Sequence, residues 1–289
     1  MVLTSLPLSP LRVAGKVSPK FLWYLFYLQC RRMDAESQKY LLTFDCDTNL
    51  DIEVVASVHS KLSAMGITPV YAVPGQLIER GLDTYKALSD LGAEFLNHGY
   101  VQHTTVDAKR TRYLSTFFYD QISEREALED IDRGHETLVK KLGVIPKGFR
   151  TPHFGTFQSK ENLLFLHDKL RSLGYAFSSS TSPKYSFVKG PHFDNEGLIE
   201  IPVTGCPSWP LGILDSFNFR YSGSKKFTPH VFESEMKKAF EMMKTGRLKR
   251  INMYADPSQV YDWEGFFVSV SRFAPFAVAN FSSYLEEQE

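Results

Sequence analysis

YLLTFDCD, residues 40–47, carries a β-rich run straight into two acids that flank a cysteine. The run predicts a strand over 40–44. Side chains alternate along an extended chain, so Asp45 and Asp47 turn to one side and Cys46 to the other. Two carboxylates that share a site cannot both stay ionised cheaply unless a cation lies beside them, and the pair therefore points to a metal. The same residues also suit a plain turn or helix start, since Asp47, Thr48, Asn49 and Asp51 are all good N-caps.

Outward from this segment, short β-rich runs alternate with helical patterns, the habit of a parallel sheet with crossover helices. Strands are predicted over 40–44, 70–73, 94–96, 148–150, 175–178, 198–203 and 250–254. Helices are predicted over 51–65, stopped by Gly66, and over 123–142, where Ser123 and Glu126 have capping-box spacing and Gly143 follows the end. Two more, over 161–173 and 231–245, are each followed by a glycine, Gly174 and Gly246. The expected fold class is α/β: a single irregular (β/α)7-type barrel over residues 40–289, with residues 1–39 as an N-terminal extension. In such folds reactive groups gather at the carboxyl ends of the strands.

The composition suits one large globular domain: 43% of the residues are hydrophobic and 14% aromatic. Lysine and arginine number 33 against 33 acids, so no net charge attracts a polyanion and nucleic acid is not an expected partner. Cys30, Cys46 and Cys206 are an odd count without paired spacing, which fits a reducing compartment and a cytoplasmic location. FLWYLFYL at 21–28 is the most apolar run and is followed by Arg31 and Arg32. It is far short of the roughly 20 apolar residues of a membrane span. A helix packed on the barrel is expected there; the other reading of 21–32 is a peripheral membrane contact with its arginines toward anionic lipid.

NHGYVQHT at 97–104 again follows a predicted strand end. Two imidazoles and a carboxylate make a three-ligand set that leaves positions open, as catalytic zinc requires. His98 and His103 are five residues apart, so both reach one ion only from a loop or a π-bulge. A histidine pair can also be purely structural, and His59, His135 and His167 sit within helical patterns as surface or core residues.

Five short segments in fixed order resemble the motifs of the polysaccharide-deacetylase family, also called the NodB-homology or carbohydrate esterase family 4 fold. The resemblance covers residues 40–262 and is nearest the branch whose first motif reads Asp-x-Asp. It implies that in TFDCD (43–47) Asp45 is the catalytic base and Asp47 a metal ligand. GAEFLNHGYVQHT (92–104) is similar to the second motif and implies His98 and His103 as the other ligands, although the family spaces its histidines four apart. GFRTPHFG (148–155) is similar to the third, and implies Arg150 as the group that orients the base, with Pro152, His153 and Phe154 near the oxyanion. IEIPVTGCPSWPLGILD (199–215) implies Trp209 as a groove wall and Asp215 as the arginine's acidic partner. INMYADPSQVYDW (251–263) resembles the last motif but has Asp256-Pro257 where the family has His-Pro. Asp256 therefore stands in the general acid's place, work that a carboxyl does only if burial or nearby negative charge raises its pKa. His153 and His230 are the spare candidates for that role.

The implied activity is metal-dependent removal of an N-acyl group, acetyl or formyl, from an amino sugar. Zinc is the expected ion, with cobalt, nickel or manganese as substitutes. With no export signal in view, the expected partner is a small-molecule, nucleotide-linked or lipid-linked sugar precursor in surface-polysaccharide synthesis. One alternative keeps the barrel and metal but takes a ureide or cyclic imide. Another is a catalytically inactive barrel that binds a sugar or a partner protein. The oligomeric state has no signal in the sequence.

Overall fold

In the computed structural model the described residues are 18–107, 109 and 112–287. The first 17 positions of the expected N-terminal extension thus lie outside the described residues. Ten strands follow one another along the chain: β1 Lys39–Asp45, β2 Val70–Val73, β3 Phe95–Asn97, β4 Thr104–Val106, β5 Tyr113–Ser115, β6 Gly148–Phe149, β7 Phe177–Ser178, β8 Phe193–Asn195, β9 Leu198–Glu200 and β10 Arg250–Ala255. Eight of them form one sheet in the order β10-β1-β2-β3-β6-β7-β9-β8. All pairings are parallel except that of β8 with β9. The seven parallel strands are the seven expected from the sequence, curled into a half-barrel within an α/β fold.

Among the longer helices are α1 Pro19–Arg32, α2 Asn49–Ser63, α3 Glu124–Thr137, α4 Lys160–Ser172 and α5 Pro229–Lys244. The capping box expected at Ser123 is present, with Glu126 accepting from the Ser123 N–H at 2.8 Å. The 123–142 pattern is not α-helical throughout: Leu138–Leu142 form a π-turn that ends on left-handed Gly143. No helix among the described residues is long and apolar enough to cross a membrane.

Two features escaped the sequence pattern. The β4–β5 hairpin stands outside the main sheet, and β8 is an added edge strand. Each of these strands has only three residues, and half-buried or exposed positions predominate in them, so they carry no apolar run to read. The β8–β9 turn uses Glu196 and Gly197, both at positive φ (56° and 92°), as a two-residue hairpin of that hand requires.

Every residue of β1 is buried: Tyr40, Leu42 and Phe44 lie in the main apolar core, whereas Leu41 belongs with Val70, Ala72, Leu96 and Phe177 to a smaller apolar cluster. Beyond β9 the chain leaves β8 and runs on toward β10. Ile201 N–H donates to the Ser178 carbonyl (2.8 Å), and Thr204 N–H to the Asn252 carbonyl (2.8 Å). Asn252 returns the contact through its own N–H to Thr204 Oγ1 (2.9 Å), while its side-chain amide meets the Ile201 and Pro202 carbonyls. The two ends of the sheet are thus joined by a seam rather than by a ladder.

Candidate metal centre

Asp45 ends β1, and the next two residues keep the alternation: Cys46 is buried in the apolar core, while Asp47 turns back to the side of Asp45. Thr48 then caps α2, its N–H and hydroxyl both donating to Asp51 Oδ2 (2.8 and 2.7 Å). The segment is therefore both a site and a helix start, and the two readings of its acids do not compete.

His98 and His103 leave the carboxyl end of β3 on a loop, which meets the condition set by their five-residue spacing. Left-handed Gly99 (φ 74°) turns that loop. Three buried groups pin it from behind: Asn97 Oδ1 accepts from Gly99 N–H (3.0 Å), Asp130 Oδ1 from Val101 N–H (2.8 Å), and Tyr119 donates to Asp130 Oδ2 (2.7 Å). Helix α3 approaches this closely only because it carries Gly134, where any Cβ would run into the Gly99 carbonyl and Asn97 Oδ1.

The rings converge on one acid. His98 Nδ1 lies 2.7 Å from the Arg150 carbonyl, which can only accept, so that nitrogen holds the proton and Nε2 is left bare. That Nε2 is buried without a hydrogen-bond partner and lies 3.3 Å from Asp47 Oδ1. His103 Nε2 is 2.8 Å from the same oxygen. One ligand atom from each of Asp47, His98 and His103 lies within 4.8 Å of the others. A lone pair with no donor facing it, beside a carboxylate and a second imidazole, is the donor set of a three-ligand divalent cation site, and these residues fit such an ion. Burial works against ionising Asp47, yet His103, through its charge and its hydrogen bond to the carboxylate, outweighs burial and holds the carboxyl well below the usual carboxylate range.

Asp45 lies next to this set, 2.8 Å from Arg150 Nη1. Burial pushes its carboxyl up, and Arg150 and His98 pull it back without cancelling the rise. Arg150 grips Asp45 with one nitrogen only. Nη1 serves both Asp45 and Thr43 Oγ1 (2.7 Å), and Nη2 turns to Ser179 Oγ (3.1 Å), because the guanidinium is fully buried between β1 and β7 and needs partners on both sides.

Pro152 is buried and His153 has a left-handed backbone (φ 58°) that bends the loop back over the site. His153 Nε2 donates to the His103 carbonyl (3.1 Å), and its ring lies edge-on to His103 at 5.0 Å. Burial and the neighbouring His103 push this imidazole down to about 4, so it is neutral at pH 7. Phe154 lies against Tyr254, the ring centres 4.7 Å apart and the planes tilted by 38°, with the Arg150 guanidinium 5.2 Å from the Phe154 ring centre. His230, the other spare acid, sits on the exposed first turn of α5.

Asp215 does not bond to Arg150. It caps the helix Ser216–Arg220, accepting from Asn218 N–H (2.6 Å), and takes the Tyr254 hydroxyl at 3.0 Å, so it reaches the arginine only by way of Tyr254. Burial pushes its carboxyl up to about 7. Trp209 is not brought into this cluster either: its ring meets Phe227 edge-on at 5.3 Å, with Lys226 over it at 4.5 Å.

Asp256 follows β10 and is buried. It accepts from Gln259, and its N–H donates to Ser216 Oγ (3.0 Å). Burial first, then the charges of Asp47, Asp51, Asp45 and Asp215, push its carboxyl well above the usual range. Asp51 also links the two halves of the site, because its Oδ1 accepts the Ser258 N–H (2.8 Å), and Tyr113 from β5 donates to Ser258 Oγ (3.0 Å).

No family model and no curated protein matches the chain. Solved structures do match. A Mycobacterium smegmatis protein assigned as a polysaccharide deacetylase superposes with a TM-score of 0.64 at 16% identity, over 87% of this chain and 90% of its own. An allantoinase, Puue, gives 0.57 at 12% identity, over 84% and 86%. A Pseudomonas aeruginosa protein, also assigned as a polysaccharide deacetylase, gives 0.56 at 12% identity, over 80% and 71%. The fold is the one these proteins share.

Proposed function

We propose that the chain is a metal-dependent hydrolase of non-peptide carbon–nitrogen bonds that removes an N-acyl group, acetyl or formyl, from an amino sugar. The observation that carries this reading is the placement of two carboxyls in unlike settings around one ligand set. Asp45 is bound to Arg150, whereas Asp256 has burial and four acids raising its pKa. A divalent cation held by Asp47, His98 and His103, zinc first among those that suit this set, would supply Lewis acidity toward the amide carbonyl and the attacking water. Asp45 takes the proton from that water, with its carboxylate aimed by Arg150. The His153 backbone N–H meets the developing oxyanion, and Asp256, protonated, donates to the departing nitrogen. Phe154, braced on Tyr254, offers an apolar wall to the sugar ring. A sugar precursor on a nucleotide or lipid carrier, used in a cytoplasmic step of surface-polysaccharide synthesis, is the substrate we favour.

The shared fold of an allantoinase supports a second substrate class, a ureide, at the same centre. The deciding experiment sets N-acetyl and N-formyl amino sugars, free and carrier-linked, beside allantoin-like ureides in assays of zinc-loaded protein. Release of acetate or formate that is lost in His98→Ala, together with bound zinc, supports the proposal. Zinc-loaded protein that cleaves only ureides transfers the assignment, and protein that binds no metal and cleaves neither substrate points to a binding barrel.

A further inference from the structure

One large cavity of the described structure lies away from the metal centre. It is a groove of about 860 Å³ between α1, α5 and the turn that leads into β10. Lys249 lines it and immediately precedes β10, whereas Asp256 immediately follows that strand. The groove and the catalytic candidates therefore stand at opposite ends of a six-residue strand, about 20 Å apart.

The groove has an apolar wall and a cationic rim. Trp23, Tyr24, Tyr27 and Met242 supply the wall. Lys20, Lys237, Lys238, Arg247 and Lys249 surround it, against the single acid Glu241. Lys238 and Lys249 are paired with Glu235 and Glu36, but Lys20, Lys237 and Arg247 make no ion pair with any described residue. In a chain with equal numbers of basic and acidic residues this is a local excess of positive charge. Beside it, α1 is apolar on two faces. Leu22, Trp23, Phe26 and Cys30 face the barrel, where Trp23 donates to the Pro207 carbonyl (3.0 Å) and packs on Phe187. Phe21, Tyr24 and Leu28, spaced three and four apart, form an outer stripe that is 49%, 56% and 37% exposed. Arg31 and Arg32 continue the positive charge at the end of that helix.

Charge complementarity selects the occupant. Residues 1–17 contain Arg12 and Lys16 and no acid, so they match this rim poorly. A second copy would set one cationic face against another. A soluble polyanion would satisfy the rim but leave the outer aromatic stripe without a role. An anionic lipid surface satisfies both, with the apolar stripe entering the interface and the rim meeting acidic headgroups. We infer that α1 and the groove beside it dock the protein peripherally on an anionic lipid bilayer, the groove taking an acidic headgroup. The inference does not depend on what the metal centre hydrolyses.

Vesicle flotation of the full chain tests it, with phosphatidylcholine vesicles made with and without phosphatidylglycerol. The protein floats with the anionic vesicles only, and about 0.5 M salt releases it. Lys237→Glu with Arg247→Glu weakens binding at least about tenfold, given the effect of each basic residue near such a surface. Phe21→Ser with Tyr24→Ser weakens it at low salt as well. Lys140→Glu, an exposed charge reversal outside this face, leaves it unchanged, and thermal melts of all variants confirm folding. Failure to float with anionic vesicles, equal binding to neutral ones, or undiminished binding in both double variants overturns the inference. So does binding to heparin that is as tight as vesicle binding and indifferent to the Phe21 and Tyr24 changes, since that identifies a soluble polyanion.

Discussion

Asp256 is the residue on which the proposed chemistry turns, and its surroundings give its pH behaviour a definite sign. A general acid works while protonated, and a raised pKa extends that state upward in pH, so turnover should fall on the alkaline side as Asp256 ionises. Asp256→Asn is expected to cost about 10²–10⁴-fold in turnover and to remove that alkaline limb. Zinc content, measured by elemental analysis, should stay at the wild-type level because Asp256 is outside the ligand set. An Asn variant that keeps the rate returns the role to another group. Arg150→Lys probes the base: one ammonium cannot reach Asp45, Thr43 and Ser179 together, so steady-state kinetics should show a loss mainly in kcat. At this scale the metal set was legible because its members lie in contiguous motifs just after strand ends. Thr43, Ser179, Tyr254 and Asp130 were not, since each becomes a partner only through strand register or helix packing. Asp130 left one trace, an acid beside Ile131 on the apolar face of α3. Trp209 shows the converse, because its place in a motif does not fix the direction its ring faces.

Among the elements, α3 and the His98 loop are fitted to one another at Gly134. An alanine in a helix interior ordinarily stabilises by about 1 kcal/mol relative to glycine. Here the added methyl overlaps the Gly99 carbonyl, so Gly134→Ala should instead destabilise by about 1–3 kcal/mol and weaken zinc binding, read by urea unfolding and metal titration. The cap of Ser216–Arg220 gives a second test. The Asp215 carboxyl is pushed up to about 7 in the folded chain, against an unfolded value of about 3.9. Between those pH values the folded state holds a proton that the unfolded state has lost, so this group's contribution is full below about pH 4 and declines as pH rises toward 7. Asp215→Asn, which can still cap, should flatten that decline, on the order of a few kcal/mol, in melts of metal-free protein. The helices with strong caps and glycine stops were readable from the chain, as Ser123 and Glu126 were. The β4–β5 hairpin and β8 were not, because three-residue strands with exposed positions show no period.

For the whole molecule, the alternation of strands and helices announced seven parallel strands, but neither their order nor the seam that joins the sheet's two ends. Asn252 carries that seam, fully buried, and its amide also donates to Ser179 Oγ at 2.9 Å. Asn252→Ala leaves the Ile201 and Pro202 carbonyls without these donors and should lower stability by about 2–4 kcal/mol in urea unfolding. The hydroxyl of Ser179 is shared between this asparagine and Arg150. The amide protons of Ile201, Val203 and Thr204, held by isolated bonds, should therefore exchange with deuterium well before those of β1 and β2, which are locked in a ladder. Each such opening also tugs on the guanidinium that aims Asp45, which makes the stave joint of this barrel a place where a distant strain can detune the water-activating carboxylate.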